Sequence, residues 1–204
     1  MSIAFKGDVN QLEEYINSMD LILKDLFGQQ TEVNESYNKA TKEWCDQISQ
    51  DTGDALDHAG KQIEELNGYF MNLLLKLNRG FSHMKEGYLQ KTWNAQLHTY
   101  ALERYPIVNE VISTRISGTT VDSIRAFEID LESYIENTQR CIKGSQDALD
   151  SVGYWADVYY DSTKEKTEEF SSEMTKCIEF LSEQLEWITK RRIRFEEALE
   201  MLDK

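Results

Sequence analysis

One proline in 204 residues, Pro106, leaves almost the whole chain free of the residue that most reliably ends a helix. Cys45, Cys141 and Cys177 are odd in number and lack the paired spacing of a zinc site or a redox motif, which fits a reducing compartment. Histidine is as scarce: His58, His83 and His98 show no metal-ligand spacing, and the Glu-x-x-His of a di-iron bundle is absent. There is no glycine-rich phosphate loop, nucleophile elbow or Cys/His pairing. The adjacent glutamates Glu64-Glu65 and Glu168-Glu169 point to different sides of a helix, so they form no catalytic pair. These absences predict a protein that is not an enzyme and holds neither cofactor nor metal.

Long apolar runs are missing too. The longest are three residues, among them Leu73-Leu74-Leu75, which Lys76 ends, and fall far short of the ~20 residues of a membrane span. Met1 to Gly7 have no basic start, apolar run or small-residue cleavage site, so no signal peptide of the usual kind is expected. Basic charge is in deficit, with 22 Lys and Arg against 37 Asp and Glu and a net charge of -15. Such a surface repels phosphate backbones and anionic lipid, so nucleic acid and stable membrane insertion are not expected. The expected location is cytoplasmic, or exported with a partner by a route that leaves the N-terminus uncleaved.

What the chain does have is 40% apolar and 11% aromatic residues, enough for a packed fold, arranged as a repeat. Trp44-Cys45-Asp46 returns as Trp155-Ala156-Asp157. At an offset of 111, Ile48, Ala59, Ile63, Leu66, Phe70, Leu74, Leu77, Met84 and Tyr88 match Tyr159, Phe170, Met174, Cys177, Leu181, Leu185, Ile188, Phe195 and Leu199. Upstream, at an offset of 112, Leu12, Tyr15, Met19, Leu23, Tyr37 and Ala40 match Ile124, Phe127, Leu131, Ile135, Leu149 and Val152. Core positions three or four apart belong to one helix face. Inside a helix the one-residue slip would rotate every later side chain by about 100°, so it predicts a bend before each tryptophan.

Each repeat therefore reads as a helical hairpin bent at Trp-x-Asp, and a lone hairpin cannot bury its apolar stripe. The expected fold is all-α: two long helical hairpins packed as a four-helix bundle, an intramolecular pseudo-dimer. The first hairpin is assigned to residues 1–104, a connector to 105–120 and the second hairpin to 121–204. Trp44 and Trp155 plug the bundle ends, and Asp46 and Asp157 cap the returning helices.

Asp8 with Gln11 has the form of a capping box, and Phe5 that of a staple, for a first helix running to about Thr41 through the weak stretch Gly28-Gln29-Gln30-Thr31. The second helix starts near Trp44 and carries glycines at 53, 60, 68, 80 and 87. Each costs ~1 kcal/mol in a helix interior, which points to close backbone approaches or local flexing. Trp93, Leu97, Tyr100 and Ala101 extend its spacing to about Arg104, before Pro106. A short helical piece is expected over Ile107 to Thr114, and Thr119 with Asp122 reads as the capping box of a third helix from Val121 to about Val152. The fourth runs from Trp155 to about Leu202. Its run Lys190-Arg191-Arg192-Ile193-Arg194 reads as a solvated tail suited to the helix dipole, and His58 as a surface ion pair with Asp54. Phe180 and Trp187 widen the apolar face of this helix. The plainer reading makes them core, and the other makes them a docking groove for a partner helix.

Two helices meeting at a Trp-x-Gly or Trp-x-Asp turn, with a helical stripe on each arm, resemble the WXG family of hairpin proteins exported by type VII secretion systems. The resemblance covers residues 5–89 and 116–203, one chain supplying both halves of the family's antiparallel dimer. The turn tryptophan carries over to Trp44 and Trp155, whereas the third motif position is Asp46 and Asp157 where the type members have glycine. The family's export signal, Tyr-x-x-x-Asp or Tyr-x-x-x-Glu, does not carry over: Tyr100 comes closest, with Glu103 one position early. The resemblance implies a chaperone or targeting partner that binds a helical domain of a secreted effector or toxin, or components of the secretion machine. Trp44, Asp46, Trp155 and Asp157 would form the bundle ends, and Phe180 with Trp187 would add docking area. A membrane-active helical toxin and an immunity protein are the alternative readings, and self-association is left open.

Overall fold

The computed structural model describes residues 7–84, 93–102 and 114–202, with no side-chain description for 82–84. Among the described residues there are four helices: α1 (Val9–Ala40), α2 (Gln47–Met84), α3 (Gly118–Asp150) and α4 (Val158–Leu202). The expected all-α four-helix bundle is the fold observed. Each of α1 and α4 packs on both α2 and α3. Tyr134 bonds Gln30 and Gly153 bonds Gln11, so α1 and α3 run antiparallel. Tyr69 bonds Thr163 and Cys177 bonds the Ala55 carbonyl, so α2 and α4 do likewise.

The sequence repeat is a repeat of burial. Leu12 and Ile124, Met19 and Leu131, Ile63 and Met174, and Phe70 and Leu181 are all fully buried. Both tryptophans lie in turns, after α1 ends at Ala40 and after α3 ends at Asp150. The slip of one residue therefore falls where it disturbs no helical register. Gly28-Gln29-Gln30-Thr31 does not interrupt α1. Gln30 is fully buried, donating to the Leu56 carbonyl at 3.0 Å and accepting from the Tyr134 hydroxyl at 2.6 Å.

Several local expectations need correction. Residues 93–102 are extended rather than a continuation of the second helix. The backbone N–H groups of Asn94, Gln96 and His98 donate to Glu13 Oε2, Asn17 Oδ1 and Asp20 Oδ1 at 2.8, 3.1 and 2.8 Å. Trp93, Ala95 and Leu97, two apart, pack on the core. A period of two lets alternate side chains face the bundle while the intervening amides find acceptors on α1. The segment meets α2 as well, with Trp93 Nε1 donating to Asn78 Oδ1 at 2.7 Å and its ring 4.6 Å from that of Phe81.

Ser117, not Thr119, caps α3: its hydroxyl accepts from the Thr120 N–H at 3.2 Å, and the helix begins three residues before Val121. Asp8 caps α1 as expected, accepting from the Asn10 and Gln11 amides at 2.9 and 3.3 Å. Gln11 does not return to close a capping box. Its Oε1 accepts from Gly153 N–H, while Asp8 N–H donates to the Tyr154 carbonyl, both at 3.0 Å, and Gly7 bridges Trp155. Phe5, Gly87, Arg104, Pro106 and nearly all of Ile107 to Thr114 lie outside the described residues. Among the described residues, no helix is long and apolar enough to cross a membrane.

Candidate functional site

The six residues singled out in the sequence fall into three places. At one end of the bundle, Trp44 is fully buried and Asp46 caps α2. Asp46 Oδ1 accepts from Ser49 N–H at 3.1 Å while Ser49 Oγ accepts from Asp46 N–H at 3.0 Å, a reciprocal cap. Thr114 seals the turn by bonding both backbone groups of Cys45, and Glu43 accepts from Ser117 and Thr120 at 3.0 and 2.6 Å. Those two hydroxyls hold the Glu43 carboxyl below its ordinary range. At the opposite end Trp155 packs on Tyr15, with ring centroids 6.0 Å apart, and Asp157 caps α4. These four residues secure turns and helix ends, and the two pairs are separated by the length of the bundle.

Phe180 and Trp187 belong elsewhere. They are 39% and 53% exposed, so the plainer reading that made them core is wrong. Both line a groove between α2 and α4. One cavity, of about 370 Å³, lies among Asp54, Ala55, His58, Glu173, Cys177 and Phe180. A neighbouring one, of about 310 Å³, lies among Ile48, Gln184, Trp187, Lys190, Arg191 and Arg194. Asp51 borders both. On α2 the lining residues 48, 51, 55 and 58 are three or four apart, and on α4 so are 173, 177, 180, 184, 187, 191 and 194. Two outward helix faces thus meet along one trough.

The basic run of α4 is a solvated tail only in part: Lys190 and Arg194 are exposed, whereas Arg191 and Arg192 are partly buried. Arg192 Nε meets Glu128 Oε2 at 2.7 Å and its Nη1 meets Glu196 Oε1 at 2.8 Å, with Arg192 and Glu128 largely buried. Arg191 Nε sits 2.9 Å from Asp46 Oδ2, so the first turn and the groove touch through one ion pair. Lys190 Nζ lies 4.6 Å over the Trp187 ring, a cation–π arrangement, and 3.6 Å from Glu186. Arg194 is exposed and has no carboxylate partner among the described residues. His58 reaches across the groove to Glu173 at 3.9 Å rather than pairing with Asp54.

Cys177 is an apolar filler at the groove floor, its thiol donating to the Ala55 carbonyl at 3.2 Å. Burial pushes that thiol up to about 11, which removes the thiolate needed for nucleophilic chemistry near neutral pH. Among the described residues no group of His, Cys, Asp and Glu could hold a metal ion. The trough offers apolar area with charged groups along its rim. Sequence reasoning found its two aromatic residues and missed Ile48, Asp51, Ala55 and Arg194, whose helical spacing becomes informative only once α2 and α4 are known to be neighbours.

Compared with protein-family models, with characterised proteins and with solved structures, the chain shows no significant match.

Proposed function

We propose that this is a non-enzymatic interaction protein, a chaperone or targeting partner that holds a helical segment of a secreted effector or toxin in the trough between α2 and α4. The observation that carries the reading is the exposure of Phe180 and Trp187 above two adjoining cavities on a strongly acidic chain. Exposed aromatics over a concave, partly apolar floor suit the anchor residues of an amphipathic helix. The antiparallel pairing of two hairpins bent at Trp44 and Trp155 supports the likeness to WXG proteins, and with it a place beside a type VII-like secretion machine.

The test is co-precipitation from the native host with the wild-type chain and with a Phe180→Asp/Trp187→Asp variant. Recovery of a helical secreted protein or a secretion ATPase by the wild type, lost with the variant, is the expected result. Recovery of the bait alone, or equal recovery by both baits, counts against the reading.

A further inference from the structure

The trough carries opposite charge at its two ends. Around the cavity beside Phe180 stand Asp51, Asp54 and Glu173, and of the cations there Lys176 is already held by Glu173 at 2.6 Å. Around the cavity beside Trp187 stand Lys190, Arg191 and Arg194, with Asp51 as the lone carboxylate in its lining; from outside the lining Asp46 holds Arg191 at 2.9 Å and Glu186 lies 3.6 Å from Lys190, so Arg194 is the cation left for a ligand. On a chain of net charge -15 this concentration of cations is against the general trend. Helix-dipole matching does not require it, because α4 continues to Leu202, beyond the last turn's reach of Lys190 and Arg191. Arg192 of the same run turns inward to Glu128, whereas Lys190 and Arg194 stay exposed at the rim.

We propose that the occupant of the trough is an acidic amphipathic helix of a partner protein, with its apolar stripe on Phe180 and Trp187 and its carboxylates gathered at the Lys190–Arg191–Arg194 end. This deepens the docking reading above and rests on it. Phe180 and Trp187 are seven residues apart, about 10 Å or two helical turns. An i, i+7 pair of apolar residues on the incoming helix spans the same distance. Arg194, without a carboxylate partner among the described residues, supplies a guanidinium for a carboxylate, and Lys190 adds a second charge beside the indole. The acidic cluster at the other end repels carboxylates placed there, so charge selects the register along the trough. A lipid headgroup is disfavoured, because a bilayer meets the whole acidic surface, whereas a helix lying in the trough meets the local Lys190–Arg194 cluster within a Debye length.

The test uses the full chain and two fluorescein-labelled synthetic helices. Both carry leucines at i, i+3, i+4 and i+7; one has glutamates at one end and the other has lysines in their place. Fluorescence polarisation at low salt should give the glutamate probe an affinity at least about tenfold higher, with the gap narrowing as salt screens the charges. Arg194→Glu, an exposed change whose fold is checked by circular dichroism, should cut glutamate-probe binding about tenfold and raise lysine-probe binding. Phe180→Asp should abolish both. Equal affinity for the two probes, or indifference to Arg194→Glu, would overturn the acidic assignment and leave the docking reading standing. Failure of both probes to bind, or binding that survives Phe180→Asp, would overturn the trough as a docking surface.

Discussion

The indole N–H of Trp155 donates to Asp157 Oδ1 at 3.0 Å, and that same oxygen accepts the backbone N–H groups of Tyr159 and Tyr160 at 2.9 and 3.3 Å. One carboxylate oxygen therefore holds the turn tryptophan and the start of α4 together. The first repeat does not reproduce this. Asp46 engages Ser49 and Arg191, and the Trp44 indole N–H is buried with no partner among the described residues. Asp157→Ala should lose a helix cap worth about 1 kcal/mol and leave an indole unpaired for about 1–3 kcal/mol more. Asp46→Ala loses a cap and a partly buried ion pair, each worth about 1 kcal/mol. Urea unfolding should rank Asp157→Ala the more destabilising by about 1 kcal/mol, and equal costs would show that the indole bond is worth no more than the Asp46–Arg191 ion pair.

The middle of the bundle is secured by a polar pair. Tyr134 OH donates to Gln30 Oε1 at 2.6 Å, and Gln30 Nε2 donates to Asn34 and to the Leu56 carbonyl, both at 3.0 Å. At the 112 offset the counterparts of Gln30 and Tyr134 are Ile142 and Ile22, so this network belongs to one half only. Tyr134→Phe should cost about 1–3 kcal/mol because it strands a buried amide oxygen. Adding Gln30→Leu should recover part of that loss. Strict additivity of the two changes in denaturant melts would argue against coupling through this bond.

Two glycines of α2 test where close approach matters. At Gly53 a Cβ would run into the Tyr37 hydroxyl group, which itself donates to the Ser49 carbonyl at 2.8 Å. At exposed Gly68 nothing lies within 4 Å. Gly68→Ala should stabilise by up to about 1 kcal/mol through helix propensity alone. Gly53→Ala should destabilise despite the same propensity gain, because Tyr37 is packed edge-on against Phe127, centroids 5.6 Å apart. Thermal melts of the two variants should move in opposite directions.

Arg192 and its neighbours separate buried from exposed charge. Its guanidinium is held protonated against the pull of burial by the bonds to Glu128 and Glu196, and Arg125 also pairs with Glu196. Arg192→Ala strands the largely buried Glu128 carboxylate and should cost about 1–3 kcal/mol. Lys190→Ala, at an exposed position, should cost less than about 0.5 kcal/mol. Comparable losses would mean that Glu128 stays hydrated once Arg192 is gone.

The helices were legible because their stripes repeat: spacing of three and four places Leu12, Met19, Ile63 and Phe70 in the core wherever the partner helix lies. The segment after α2 was misread because Trp93, Leu97 and Tyr100 fit a helical period, whereas Trp93, Ala95 and Leu97 also fit a period of two. The choice between them rests on acceptors at Glu13, Asn17 and Asp20, residues some eighty positions away. Arg192 looked solvated for the same reason, since its carboxylate partner Glu128 is on another helix. The trough followed neither from α2 nor from α4 alone: Phe180 and Trp187 widen a stripe, and only the neighbouring face of Ile48 and Ala55 makes that width a cavity.

The extended segment should be released by acid before the bundle opens. Burial acts to raise the Asp20 carboxyl, but the His98 amide at 2.8 Å, the His98 ring at 2.7 Å and the Tyr100 hydroxyl at 3.1 Å outweigh it and lower the carboxyl from its ordinary value of 3.8. A carboxyl lowered on folding contributes stability that is complete above the unfolded value and is lost as pH falls through the folded one. Protonating Asp20 removes an acceptor for His98 and Tyr100, while the helices keep their apolar core. Between pH 5 and pH 2, exchange at the His98 amide should quicken before exchange at α1 amides, and Trp93 emission should shift as its ring leaves Phe81. Asp20→Asn should produce the same release at neutral pH with helical circular dichroism unchanged. If His98 and α1 lose protection at one common midpoint, the segment is an integral part of the bundle and Asp20 does not control it separately.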